Sequence, residues 1–355
     1  MSANRSVRVL VIDDSAYNRR TIIKMLEQIP EVEVIAYASN GEEGLRKFID
    51  LKPDLITLDL EMPRMDGFTL LRIVMQRRPT PIIIVSARAE DENVFRALEL
   101  GAAEFVAKPS ARISPDLFNI QQDLLQKVRE VARMDMRKIV ARSLPGGTPT
   151  ITSSSAPALS RTADKKFSQV VIGSSTGGPP ALQAIFSAIR EPLPIGFAVS
   201  QHMPPGFTRA FAERLNKFTA IEVREAESGD RILPGLALIA PGGKNLVFRR
   251  TGDEIVARIV DPPPAQRYVP SVDVMFESAS EVFGEKTVGV VLTGMGNDGA
   301  SGVVQIKDNG GMVIAEAEES SVVFGMPKEA IATGRVDKIV PLPLVSREIL
   351  RLCGH

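Results

Sequence analysis

VVIGSSTGGPP, residues 170–180, runs from a buried-strand pattern into a helix start. Val170, Val171 and Ile172 form a short apolar run, and the chain then turns through Gly173–Gly178 to Pro179. ALQAIFSAI follows with helical spacing, so the unit reads strand–turn–helix. Such a turn lifts one side chain at the carboxyl edge of a sheet and aims backbone N–H groups at whatever binds there. A serine nucleophile needs both features, an exposed hydroxyl and donors for the oxyanion. Two plainer readings fit the same letters: a Gly-rich turn that holds a phosphate, or serines that cap the helix. The pattern G-x-G-x-x-G is absent, and so is the Lys-Ser/Thr ending of a P-loop.

Working outward, IGFAVSQHM reads as another strand and ends at His202, and VGVVLTGMGNDGASG reads as a third whose Gly-rich loop carries Asp298. Ser175, His202 and Asp298 thus fall at carboxyl strand ends of one sheet, where residues distant in sequence can meet. Neutral imidazole can take a serine proton near pH 7, and a carboxylate can fix its tautomer. Taken singly, His202 reads as a hydrogen-bonded histidine and Asp298 as a helix cap; together they read as nucleophile, base and orienter. With only two histidines in 355 residues, an imidazole mechanism must use His202 or His355. MVIAEAEESSVVFGMPKEAIATG adds a strand, loop and helix, whereas GLALIAPGGKNLVFRRTGDEIVARIVD reads as antiparallel β structure turning at Gly242–Gly243 and Gly252–Asp253.

The amino-terminal part repeats the alternation of strand and helix. VRVLVIDD ends in Asp13 and Asp14, DLITLDL ends at Asp59, PIIIVSA brings Ser86 to a strand end, and AEFVAKP places Lys108 before Pro109. Three carboxylates converging on one point repel unless a divalent cation joins them, and oxygen-only ligands favour Mg²⁺. A lysine and a hydroxyl beside them suit a transferred phosphoryl group. The plainer alternative is that the acidic residues cap helices.

Length and composition bound these readings. A chain of 355 residues suggests two domains. SLPGGTPTITSSSAPALSRTADKK lies between them and, with few core-forming residues, reads as a flexible linker spanning on the order of 25 Å r.m.s.. The expected division is 5–127, a helical extension and linker over 128–164, and 165–352. The 43 basic and 43 acidic residues cancel, so no global field favours nucleic acid or an anionic membrane. One cysteine, Cys353, excludes an internal disulfide framework and fits a reducing compartment. No signal peptide or spanning segment is legible, so a cytoplasmic protein not inserted in a membrane is expected; a monomer that binds no nucleic acid is expected as well.

Over roughly residues 5–127 the chain resembles a response-regulator receiver domain, a flavodoxin-like doubly wound parallel sheet. The resemblance implies Asp59 as phosphoacceptor, Asp13 and Asp14 holding Mg²⁺ with it, and Ser86 and Lys108 on the phosphate, with the Lys108–Pro109 bond open to the cis form. Phe105 stands at the switch position where many receivers have tyrosine.

IGSSTGGP, QHMPPGFT, APGGKN, PSVDVMF, LTGMGNDGA and SSVVFGMPKEA are similar, in order, to the protein-glutamate methylesterases of bacterial chemotaxis, the CheB family. That implies a second doubly wound α/β domain with an antiparallel hairpin region. It further implies a phosphorylation-regulated serine hydrolase that demethylates glutamyl methyl esters on chemoreceptors, releasing methanol, with glutamine deamidation open to the same site. Ser175 carries over as nucleophile, His202 as general base and acid, and Asp298 as its partner. Thr176 and Met295 are the candidates for oxyanion N–H groups, no cofactor is expected in the esterase site, and a chemotaxis-type sensor histidine kinase is the implied phosphodonor. Tyr268–Val269 departs from a place where members often carry basic residues. The alternative of a different class is an output domain that only binds, taking a nucleotide or DNA; the balanced charge and strand–helix alternation oppose a basic helix-turn-helix.

Overall fold

The computed structural model describes residues 6–86, 92–108, 115–132, 134, 136–143 and 167–352. The chain divides into two compact units, Met1–Leu144 and Pro145–His355. Pro109, most of the expected linker, Cys353 and His355 lie outside the described residues.

In the first unit, strands β1 (Val7–Ile12), β2 (Val32–Ala38), β3 (Leu55–Leu58), β4 (Ile82–Ser86) and β5 (Glu104–Ala107) alternate with helices α1 (Ala16–Leu26), α2 (Gly41–Leu51), α3 (Gly67–Arg77), α4 (Glu92–Glu99) and α5 (Pro115–Val131). A further helix, α6 (Met136–Ser143), closes it. All strand pairs are parallel, in the order β2-β1-β3-β4-β5. The order reverses at β1, so the crevice for a ligand opens beside β1 and β3. Every residue of β3 and β4 is buried, which is why those strands read as unbroken apolar runs.

The second unit runs β6 (Gln169–Ser174), α7 (Gly178–Ser187), β7 (Gly196–Gln201), α8 (Phe207–Asn216), β8 (Glu222–Glu225), β9 (Leu236–Ile239), β10 (Asn245–Thr251), β11 (Glu254–Val260), α9 (Val272–Phe283), β12 (Thr287–Val291), α10 (Ala300–Asp308), β13 (Met312–Glu316), α11 (Met326–Ala332), β14 (Lys338–Val340) and α12 (Leu342–Leu352). Seven strands form a parallel sheet in the order β14-β13-β12-β6-β7-β9-β8. β6 lies between β12 and β7, with Gly173 paired to Val291 and Ser174 to Gln201. The turns after these three neighbouring strands therefore share one edge, at the switch point of the sheet.

One expectation needs correction. LALI does not enter an antiparallel hairpin; as β9 it pairs in parallel with β7 and β8. Within that stretch β10 and β11 form the antiparallel ladder, turning at Gly252–Asp253. All four residues of β9 are buried, the signature of an interior parallel strand, whereas β11 has one buried residue in seven and lies toward the surface.

Candidate active and phosphoacceptor sites

In the first unit, Asp13, Asp14 and Asp59 each offer an oxygen within 4.8 Å of the others. Lys108 Nζ donates to Asp59 Oδ2 at 2.5 Å and lies 3.4 Å from Asp13 Oδ2. Burial pushes Asp59 up to about 6 against the pull of Lys108, and raises Asp13 as well. Burial would lower Lys108, but the two carboxylates hold it above its ordinary value. Asp13 Oδ2 is buried without a hydrogen-bond partner among the described residues. An all-oxygen cluster with one unsatisfied lone-pair carrier fits a hard divalent cation. Ser86 ends β4, buried, with its carbonyl accepting the Lys108 N–H at 2.7 Å. Phe105 is buried, edge-on to Phe95 with centroids 6.2 Å apart, and Lys127 Nζ lies 4.8 Å from its ring and donates to its carbonyl at 2.6 Å.

In the second unit, Ser175 follows β6 and is 8% exposed. Its N–H donates to the Thr293 carbonyl at 3.0 Å, tying the serine turn to the loop after β12. Gly294 makes that approach feasible: a Cβ there would lie 2.7 Å from Ser175 Cβ and 2.4 Å from Met326 Sδ. Thr293 Oγ1 donates to the Thr176 carbonyl at 2.9 Å, and the buried Glu316 carboxylate accepts the Thr293 N–H at 2.8 Å. Met295 follows Gly294, and its N–H has no acceptor among the described residues.

His202 follows β7, one step beyond the Ser174–Gln201 pair, so its backbone stands beside that of Ser175. Its Nε2 lies 2.8 Å from Asp298 Oδ2. A ring bonded to a carboxylate through Nε2 keeps Nδ1 as the nitrogen able to accept a proton. No hydrogen bond joins Ser175 Oγ to the imidazole among the described residues; the structure brings the strand ends together and forms the His202–Asp298 bond. Tyr268 lies flat over His202, with centroids 5.1 Å apart and planes at 5°. Tyr268 thus packs against the imidazole.

Asp298 is the best-held group of the site. Besides His202 it accepts from Ser271 Oγ at 3.0 Å, the Val272 N–H at 2.7 Å and the Asp273 N–H at 2.9 Å. These backbone donors are the first turn of α9, whose N-cap is Ser271. Burial opposes its charge, yet His202 and these donors outweigh burial and hold Asp298 below the ordinary carboxylate value. Asp273 returns the favour: its Oδ1 accepts the N–H groups of Gly299 and Gly302 at 2.9 and 2.7 Å, capping α10. Burial and the neighbouring Asp298 push Asp273 up to about 6.

Sequence reasoning left several of these residues without a role. Gln201, Ser271, Asp273, Thr293 and Glu316 hold the constellation from behind. Ser271 carried one legible signal, a serine before an apolar helical run.

A parallel α/β sheet with serine, histidine and aspartate at its switch point, joined to a receiver-type unit with a carboxylate–lysine pocket, defines a hydrolase-like output module under a phosphoacceptor module. The family models agree: CheB methylesterase matches residues 170–349 and the response regulator receiver domain matches residues 9–114. The chain belongs to the CheB methylesterase family. It is 58% identical to protein-glutamate methylesterase/protein-glutamine glutaminase 3 of Geobacter sulfurreducens, over 99% of this chain and 98% of that protein. A Myxococcus xanthus protein named protein-glutamate methylesterase/protein-glutamine glutaminase 1 is 46% identical over 96% of each chain. Among solved structures, the CheB methylesterase catalytic domain of Thermotoga maritima superposes with a TM-score of 0.51 at 39% identity, covering 52% of this chain and 98% of that one. An output domain that only binds nucleotide or DNA finds no support in these matches. No helix among the described residues is long and apolar enough to cross a membrane.

Proposed function

We infer that this chain is a phosphorylation-regulated protein-glutamate methylesterase and glutamine deamidase of bacterial chemotaxis. Its substrates are methylated glutamyl side chains of chemoreceptors, and its phosphodonor is a sensor histidine kinase of the chemotaxis type. The single observation that carries the chemical part is the Nε2–Asp298 bond at 2.8 Å, on a histidine whose strand end adjoins that of Ser175. It supports the following sequence. Ser175 Oγ attacks the ester carbonyl while His202 Nδ1 takes its proton, and Asp298 stabilises the imidazolium. The oxyanion is met by the N–H groups of Thr176 and Met295. His202 then protonates the departing methoxide, releasing methanol and leaving a Ser175 ester. Water, deprotonated by His202, cleaves that ester to free glutamate and Ser175. An amide substrate follows the same path with ammonia leaving.

In the receiver unit, assigned to residues 5–127, Asp59 is the phosphoacceptor and Ser86 and Lys108 contact the incoming phosphoryl oxygens. Mg²⁺ held by Asp13, Asp14 and Asp59 would neutralise charge on those oxygens. The helical extension and linker over 128–164 join this unit to the esterase unit over 165–352. We place the protein in the cytoplasm as a monomer.

The test is methanol release from a methylated receptor, with and without a small phosphodonor and Mg²⁺. Release that is lost in Ser175→Ala and raised by the phosphodonor is expected. Undiminished release from the folded Ser175→Ala protein refutes the assignment.

A further inference from the structure

We propose that Gln201 is a positioning residue of the esterase site, whose buried carboxamide sets the orientation of the Ser175–Thr176 peptide and locks it to the backbone of His202. The inference rests on the assignment of Ser175 as nucleophile and goes beyond it, because no role in the reaction attaches to Gln201 in the triad chemistry.

Gln201 is the last residue of β7 and is 2% exposed. Its Nε2 donates to the Ser175 carbonyl and to the His202 carbonyl, each at 3.0 Å. Both amide hydrogens are thereby used. Ser174 Oγ donates to Oε1 at 2.7 Å, which fixes which end of the amide faces which way. One side chain therefore joins the turn that carries the serine to the turn that carries the histidine. The pocket for it is made by Gly178, where a Cβ would lie 2.0 Å from Gln201 Oε1.

The consequence for catalysis comes from peptide geometry. In a planar trans peptide the C=O and the following N–H point in opposite directions. Holding the Ser175 carbonyl from the β7 side therefore aims the Thr176 N–H away from β7. That N–H is one of the two oxyanion donors assigned above. The Gly178 N–H also binds the Ser175 carbonyl, at 2.8 Å, and Thr293 Oγ1 binds the next carbonyl, that of Thr176. Gln201 is the member of this set that also reaches the base. Oxyanion donors count only when aimed at the oxyanion's position, so losing the aim costs turnover more than binding.

The experiment compares Gln201→Met and Gln201→Glu with the full-length parent, measuring kcat, KM, a pH–rate profile and the urea unfolding midpoint. Gln201→Met is of similar length but takes the carboxamide donor from both carbonyls, leaving the Ser175 carbonyl with the Gly178 N–H alone. Its kcat should fall about 10–100-fold, less than the loss of a whole oxyanion donor, with KM unchanged. Gln201→Glu can donate only when protonated, and burial raises a carboxyl pKa, so its kcat relative to the parent should recover as pH falls. A residue that merely supports the fold would lower the unfolding midpoint but leave kcat and the shape of the pH profile alone well below that midpoint. Wild-type kcat in folded Gln201→Met, or a Gln201→Glu profile parallel to the parent, overturns the proposal. If neither variant folds, Ser174→Ala decides: it leaves the buried Oε1 without its donor, which loosens the amide and should lower kcat several-fold, and an unchanged kcat there counts against the proposal. Ser175→Ala is run alongside. Persistent turnover in it refutes the site assignment, whereas loss in Ser175→Ala with full turnover in the Gln201 variants refutes the positioning role alone.

Discussion

Asp59 and Asp298 are both 3% exposed at the carboxyl edge of a parallel sheet, yet their acidities move in opposite directions. Asp59 accepts from the Glu61 N–H at 3.2 Å and from Lys108, and burial wins, raising it to about 6. Asp298 accepts from His202, Ser271 and two N–H groups of the first turn of α9, and burial loses. Equal burial thus gives opposite outcomes according to how many donors are built in. The receiver pocket leaves charge to be completed by something arriving from outside, which suits a reversible phosphoacceptor. The esterase site is neutralised in advance, which suits repeated turnover with a fixed imidazole.

The sharpest break of this comparison is removal of the reacting groups. Ser175→Ala or His202→Ala should cut methyl-ester hydrolysis by about 10⁶-fold while leaving the circular dichroism spectrum intact. Near-normal turnover by folded His202→Ala would dissolve the constellation, since His202 is the sole histidine before the C-terminal residue.

Asp298→Asn tests whether the built-in charge matters or only the shape. About 10⁴-fold lower kcat is expected, because the amide favours the wrong tautomer. A loss below tenfold would mean that the donors around Asp298 serve α9 rather than the imidazole.

On the other side of the comparison, Asp59→Asn should abolish acid-stable incorporation of phosphate from a small phosphodonor and leave basal esterase activity unchanged. The phosphodonor response of the esterase, about 5–150-fold for ordinary coupling energies, should vanish with it. Phosphate retained on the variant places the acceptor elsewhere.

Glu104 carries the contrast to a carboxylate with no assigned reaction. It is fully buried beside Lys127, and burial pushes it up to about 7 from 4.5. A raised carboxyl contributes stability that is present below 4.5 and lost as pH climbs through 7. Urea unfolding of the receiver unit should show up to about 3 kcal/mol lost across that window, and Glu104→Gln should flatten the dependence. The same slope in Glu104→Gln would assign it to other groups.

Much of this was legible in the letters, for reasons that differ by element. Strand ends with Asp13, Asp59, Ser86, Ser175 and His202 are visible because parallel strands put chemistry at one edge, whatever the partner order. LALI was legible as a strand but not in its pairing, because its partners β7 and β8 are set by long-range packing rather than by the Gly-rich turn that follows. The His202 nitrogen that meets Asp298 depends on where the side chain lands and leaves no trace in spacing. Gln201 and Asp273 lay in quoted motifs without roles, since their partners are loops that meet only after folding.

The flat contact between Tyr268 and His202 has a magnetic consequence. A ring stacked on another with centroids 5.1 Å apart and planes at 5° exerts its ring current on it, so the carbon-bound His202 protons should resonate away from those of an exposed histidine. The chain has one other imidazole, His355, and no tryptophan to crowd that region of the proton spectrum. His202 is therefore a reporter that needs no isotope label to be told apart, and its shift follows any event that lifts the tyrosine away.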